Sequence, residues 1–390
     1  MYPPLEGIQV IDVTETQAGS ICTQMLAWFG ATVHRVEPST ILAMAHRHAG
    51  VGSPAPDSVS ADGPPTLDQL VQDADILVDT FASGTLERLG LAWESLQALN
   101  PRLIHGTVRG GADKSPYEPF LKYEEIAQCV GGAAATTGWE AGPPMLGGVA
   151  MAQSGTGMTL LAGVLAALFH RERTGRGQRV NISIQDAVLN LCTHGAPVQP
   201  TPEGAQALAA PPSARRGNAS RGDVPGWMLR CRNWKTDPND YIYVIVDPDR
   251  WPDLCQVIGK PDWMTDPEFE TQAAREPHLF DIYRQIEAWL SDKDKYQAAE
   301  ALGRVSVPCG PVLSAQEAGR DRTLRNRGSG LDRPEGPGAR ALAQGCPVRF
   351  SAFSSHSPAA VGGRWQAGIS VRGPTQGPGP AGDAQRRVVA

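Results

Sequence analysis

The chain has 390 residues, with 41 acidic against 35 basic side chains and a formal net charge of -6. That mildly acidic balance supplies no basic face for nucleic acid or an anionic membrane, and neither partner is expected. Glycine (43) and proline (33) together make up about a fifth of the chain, against roughly 12% in an average protein, so long irregular segments are expected beside a core.

Ile8 to Val13 is a compact apolar run that fits a strand. Ala18 to Phe29 reads as a helix stopped by Gly30, and Ala31 to Val36 as a second strand. Strand, helix and strand within about 30 residues form a βαβ unit and imply a parallel sheet. Ala74 to Asp79 and Arg102 to Val108 read as further strands, with a helix around Ala92 to Leu99 between them. Between Ser39 and Pro65 the pattern stops, which predicts an irregular loop over 39–65. A long apolar helix is predicted over Gln153 to Arg173, a strand over Arg179 to Ile184 and a helix from Gln185. Residues 195–225 are linker-like in composition, Tyr241 to Val246 reads as a strand, and helical stretches fill Trp251 to Leu302. The expected layout is a large Rossmann-like α/β domain over 1–195, a linker over 196–225 and a small α+β domain over 226–325. A Gly/Pro-rich return segment and tail, partly disordered, then runs over 326–390.

Seven scattered cysteines with no C-x-x-C pair fit neither a disulfide framework nor a structural zinc site, and no metal is expected. Cys129, Cys192 and Cys309 sit in apolar runs and read as buried small hydrophobes. His194, two residues from Cys192, cannot face it on a helix. His46 and His48 could bind a stray metal ion, but a lone pair of histidines is weak evidence for a site. The N-terminus shows no signal-peptide pattern, and the longest apolar stretch, Met158 to Phe169, is too short to span a bilayer. A cytoplasmic location is therefore expected. The first strand-to-helix turn, Thr14 to Gly19, lacks the G-x-G-x-x-G fingerprint, which argues against NAD. No P-loop, H-E-x-x-H or G-x-S-x-G occurs, and Gly155-Thr156-Gly157 reads as close helix packing.

Several longer stretches in order are more specific. Pro4 to Ile8, Gln17-Ala18-Gly19, "FGATVHRVEP" (29–38), "ADILVDTFASGTLERLG" (74–90) and "HRERTGRGQRVNISIQDAVLNL" (170–191) resemble the class III (family III) CoA-transferases. Within that family, "EIAQCVGGAAATTG" (125–138), "PGWMLRCRNWKTD" (225–237) and "VPCGPVLS" (307–314) are most similar to the formyl-CoA:oxalate CoA-transferases. The resemblance implies a Rossmann-like large domain, a smaller domain and an interlocked homodimer. It also implies an aspartate that attacks an acyl-CoA thioester to give a mixed anhydride, after which CoA returns to form an aspartyl-CoA thioester. The substrates would be CoA or acyl-CoA and a small carboxylic acid.

At the place of that aspartate, immediately before Ser154-Gly155-Thr156-Gly157-Met158, this chain has Gln153. A carboxamide cannot form the anhydride. The family's glycine-rich lid falls at Ser220-Arg221-Gly222-Asp223, Pro38 replaces a basic residue, and Glu15 replaces a histidine. Gln17, Tyr123, Glu124 and Arg88 match positions that line the active site or the CoA cleft. The expected site is Glu15, Gln17, Tyr123, Glu124 and Gln153, with Arg88 toward CoA and Glu15 as acid/base. Plainer readings stand beside these: Gln153 as a simple helix-terminal residue, Glu15 as a partner of a helix dipole, and Tyr123 as packing. Two functions are carried forward. One is a repurposed transferase acting without an aspartyl nucleophile; the other is a non-catalytic relative that pairs with an active paralogue. A shifted alignment with Asp186 as the nucleophile is a third route.

Overall fold

The computed structural model describes residues 2–36, 67–111, 115–193, 215–220, 224–327, 330–336, 339–353 and 365–366. The irregular loop expected over 39–65, Pro38, His46, His48, His194, Arg221 to Asp223 and most of the linker and tail lie outside them.

The chain divides into two compact units. The first takes residues up to Lys122, Ala152–Ala187 and the part from Phe350 onward; the second takes Tyr123–Met151 and Val188–Arg349. In the first unit, β1 (Gln9–Val13), β2 (Thr32–Arg35), β3 (Ile76–Asp79), β4 (Ile104–Arg109), β5 (Arg179–Ser183) and the short β11 (Trp365–Gln366) form one sheet in the order β11-β2-β1-β3-β4-β5. Every pairing is parallel. The chain leaves β1 to one side for β2 and returns on the other side for β3, so a switch point lies beyond the C-terminal ends of β1 and β3.

The sheet's faces are sealed by helices. On one side, helices α2 (Leu67–Asp73), α3 (Thr85–Arg88) and α4 (Trp93–Leu99) contribute to a core of Ile11, Val13, Val71, Leu77, Phe81, Leu86, Leu96 and Leu103. Helix α1 (Gln17–Trp28) starts from the β1 turn, and Gly30 ends it with a φ of +107°, a conformation only glycine adopts freely. The later helices of the chain are α5 (Glu124–Val130), α6 (Met151–Thr174) and α7 (Ile184–Thr193).

Helix α6 spans 24 residues, so it exceeds the apolar stretch counted from sequence and is long and apolar enough to cross a bilayer by length and composition. Half of its most apolar 18-residue stretch is buried within the protein, including Thr156, Leu160, Leu161 and Val164, which fits the core helix of a folded domain. Gly106 on β4 leaves room for Val164 and Leu160. Gly157 lets α6 touch α1: a β-carbon there would stand 2.5 Å from the Ala18 carbonyl oxygen. The Gly155-Thr156-Gly157 reading as a close-packing device therefore holds.

In the second unit, β6 (Gly226–Arg230), β7 (Tyr241–Ile245) and β8 (Cys309–Pro311) form an antiparallel sheet in the order β6-β7-β8. Helices α8 (Trp251–Val257), α9 (Leu279–Leu290) and α10 (Lys295–Arg304) bury Trp251, Leu254, Ile282, Ile286 and Leu302 against Leu229, Ile242 and Val244. Asp294 starts α10 with a full capping box to Gln297, a feature visible in the D-x-x-Q spacing. Strands β9 (Gly330–Gly336) and β10 (Ala339–Gln344) pair as an antiparallel hairpin.

Gly157→Ala forces the α1 backbone and α6 apart and is expected to destabilise the protein by about 2 kcal/mol, within the range for overpacked cores. Chemical denaturation of the two variants measures the difference.

Candidate active-site cleft

The two central strands of the first unit end alike. Asp12 in β1 accepts a hydrogen bond from the Thr14 amide at 2.9 Å, and Asp79 in β3 accepts one from the Phe81 amide at 3.0 Å. Each aspartate folds its own backbone into a tight turn just past the sheet. The turns are then joined, because the Glu15 amide donates to Thr80 Oγ1 at 2.8 Å.

These turns wall a cleft of about 530 Å³ lined by Glu15, Thr16, Thr80–Ser83, Val108–Gly110, Glu118, Lys122 and Ile184, among others. It opens at the C-terminal ends of β1, β3 and β4, where open α/β sheets bind ligands. Behind it lies a buried polar layer. His105, Thr107 and Arg109 alternate along β4 and share one of its faces. Asp79 Oδ2 receives a 2.7 Å bond from His105 Nε2, and Oδ1 receives Arg109 Nη1 at 2.9 Å. Arg109 Nη1 also donates to the Phe81 carbonyl at 2.9 Å. His105 stacks on Trp93 with ring centroids 6.1 Å apart. Its Nδ1 has no hydrogen-bond partner among the described residues. Burial pushes the Asp79 carboxyl upward, but the hydrogen bond and charge of His105 and then those of Arg109 outweigh it and hold it below the usual carboxylate range.

Of the residues expected from sequence, Glu15 lines the cleft and is exposed. Gln17 is exposed at the first position of α1 and is not among the lining residues. Arg88 is also outside the lining; it is exposed on α3, with Nη2 donating to Thr85 Oγ1 at 2.9 Å. Gln153 is buried at 3% exposure in the first turn of α6. Its Oε1 accepts from the Ala18 amide at 3.1 Å, and its Nε2 donates to the Lys122 carbonyl at 3.1 Å. Both ends of the carboxamide thus hold backbone of the first unit. Asp186 is exposed in the first turn of α7, its amide bonded to Ser183 Oγ at 3.1 Å, and does not line the cleft.

Tyr123 and Glu124 belong to the second unit. Tyr123 precedes α5 and is 53% exposed in the single chain. Glu124 accepts from Gln128 Nε2 at 2.8 Å. Gln128 is buried and also grips the Gly147–Val149 loop through its amide nitrogen and oxygen. Cys129 corrects the cysteine expectation, being exposed, and Cys192 and Cys309 are half-buried. Among the described residues, no group of three metal-ligating side chains comes together.

Asp79, His105, Arg109, Glu118 and Gln128 were not singled out from sequence. A signal for two of them exists: His105 and Arg109 alternate with Thr107 in a strand whose two faces a parallel sheet buries, so polar residues at period two mark a polar layer.

Asp79→Asn leaves Arg109 without its countercharge and is expected to cost about 3 kcal/mol at pH 7. Because the folded carboxyl is held below its unfolded value, its contribution is fully present above the ordinary carboxylate range. It fades as pH falls through roughly 4 and below. The stability difference between wild type and Asp79→Asn, measured by denaturation from pH 7 downward, is expected to shrink in that acid window.

The model for CoA-transferase family III matches residues 5–361 of this chain. Formyl-CoA:oxalate CoA-transferases of Escherichia coli O157:H7 (strain EC4115 / EHEC) and Shigella dysenteriae serotype 1 (strain Sd197) are each 42% identical to it over 390 residues, covering 92% of this chain and 93% of theirs. Among solved structures, a CAIB/BAIF family protein from Brucella suis superimposes with a TM-score of 0.72 at 24% identity, over 90% of this chain and 93% of that one. The extent of these matches, over an α/β fold with a cleft at its switch point, makes this chain a member of CoA-transferase family III.

Proposed function

We propose that the protein binds a CoA thioester and a small carboxylic acid at the first-unit cleft and moves the acyl or CoA group between them without an aspartyl intermediate. The observation that carries this reading is Gln153. Its carboxamide stands where the family's aspartate is expected, it is buried, and both of its polar ends are bonded to backbone. An amide nitrogen donating to a carbonyl is not a nucleophile.

Glu15 is the carboxylate that does face the cleft. In the proposed reaction the acceptor carboxylate itself attacks the thioester carbonyl, and CoA leaves as the thiolate. The sulfur then attacks the acceptor side of the resulting anhydride, and the donor acid departs as its carboxylate, so no net proton is consumed. Glu15 is assigned to hold and return a proton at the departing sulfur. Gln17, Tyr123, Glu124 and Arg88 are assigned to substrate binding, Arg88 toward CoA. A cytoplasmic location belongs to the same reading.

The large domain over 1–195, the linker over 196–225, the small domain over 226–325 and the return segment over 326–390 also form part of the proposal. So does an interlocked homodimer. Support comes from apolar side chains left in solvent by the single chain: Met158 and Phe169 on α6, the latter 67% exposed, and Leu189 and Leu191 on α7. Light scattering is expected to give a particle of twice the chain mass.

A second reading, a non-catalytic member that pairs with an active paralogue, is favoured by the same Gln153 bonds, since they make the residue structural. Calorimetric titration with CoA and formyl-CoA, followed by turnover assays with oxalate, separates the two. The transferase reading expects micromolar binding and a turnover that falls at least about a hundredfold in Glu15→Gln. Binding without turnover transfers the case to the non-catalytic reading, and no binding of any thioester removes the transferase reading.

A further inference from the structure

The Arg109 guanidinium is only 5% exposed, yet it lines the cleft. Its Nη1 is fully committed, to Asp79 Oδ1, the Phe81 carbonyl and the Val108 carbonyl. Asp79 has no oxygen left for the rest of the group: Oδ1 also takes the Phe81 amide and Oδ2 takes His105 Nε2. Among the described residues, Nε and Nη2 of Arg109 have no hydrogen-bond acceptor. A buried guanidinium normally uses most of its five N–H groups. One nitrogen therefore fixes the plane, and the opposite edge is left as a rigid fork. Such a fork matches the two oxygens of a carboxylate. A second polar atom of the same cleft is unused: Thr16 Oγ1 is buried with no partner among the described residues.

We infer that Arg109 is the carboxylate-recognising residue of the first-unit cleft, gripping one carboxylate of the small-acid substrate through its Nε/Nη2 edge while Asp79 holds the other side of the guanidinium. The inference rests on the proposal that this cleft receives the acid, and it adds the residue that selects it.

The surrounding charges favour a small carboxylate over a polyanion. Glu15 and Glu118 line the cleft together with Lys122. Glu118 is held in place by Ser83, whose hydroxyl donates to its Oε1 at 2.6 Å. The Asp79 carboxylate also offsets the Arg109 charge from behind. A diphosphate would meet both acidic side chains, Glu118 held in place by Ser83, whereas a single carboxylate on the fork meets matched donors and less repulsion. The volume of about 530 Å³ accommodates a small acid with part of a thioester.

The experiment is calorimetric titration of the full chain with oxalate, with CoA titrated in parallel, on wild type, Arg109→Lys and Glu118→Gln. Lysine keeps a cation beside Asp79 but lacks the fork. Oxalate affinity is expected to fall at least about tenfold in Arg109→Lys while CoA affinity holds. In Glu118→Gln, oxalate affinity is expected to rise several-fold because one repelling charge is gone. The Glu118 variant keeps the test decisive if Arg109→Lys fails to fold. Equal oxalate binding by wild type and Arg109→Lys overturns the inference, as does unchanged oxalate affinity in Glu118→Gln. Wild type that binds CoA but not oxalate also overturns it and leaves the CoA reading standing. Failure to bind CoA, with oxalate binding still dependent on Arg109, removes the CoA reading and leaves this one.

Discussion

A single buried carboxamide ties together three parts of the first unit. Gln153 accepts from the first turn of α1 and donates to the last carbonyl before the second unit begins, from its own place at the start of α6. Only a side chain with an acceptor at one end and a donor at the other satisfies both. Two ionised carboxylate oxygens would accept from Ala18 and repel the Lys122 carbonyl. The same carboxamide atoms stabilise the α1–α6 contact, where Gly157 already brings backbone against backbone. In the proposed reading, loss of the aspartyl route and gain of a structural bond are the same substitution.

The proposed chemistry sits at the ends of β1 and β3. Two aspartates form turns of the same kind, and the Glu15 amide links them through Thr80. Glu15 is thus held by its backbone while its carboxylate stays in the cleft. Asp79 does a second job by polarising β4, where it holds Arg109 by one nitrogen only. Fixed backbone with a free functional edge recurs at Glu15 and Arg109, and it is the arrangement that preorganised recognition requires.

Much of the first unit was legible because parallel strands bury both faces and read as short apolar runs. β1, β2, β3 and β5 fall within a residue or two of their expected places, and α6 was read from its apolar composition and ends. The position of Gln153 was also legible from the Ser154 to Met158 motif beside it. Its role was not, because its two partners lie 135 and 31 residues away in the chain. The Asp79–His105–Arg109 cluster was missed for a related reason. Its members are spread over two strands, and their polarity within an apolar context was the only local sign. Tyr123 and Glu124 were grouped with Glu15 by resemblance; they fall within the second unit, where Glu124 accepts a hydrogen bond from Gln128. Short helices such as Thr85–Arg88 carry too few residues for any periodicity to show.

The central claim is that position 153 holds a structural carboxamide and that no side-chain carboxylate of this protein forms an acyl or CoA intermediate. It is tested most directly by intact-protein mass spectrometry after rapid quenching of wild type and Gln153→Asp with formyl-CoA. The account predicts no covalent adduct on wild type. It predicts an adduct on Gln153→Asp, where the nucleophile is restored at the cost of one hydrogen bond to the Lys122 carbonyl. An adduct on the wild-type chain, mapped to Asp186, Glu15 or any other carboxylate, would contradict it.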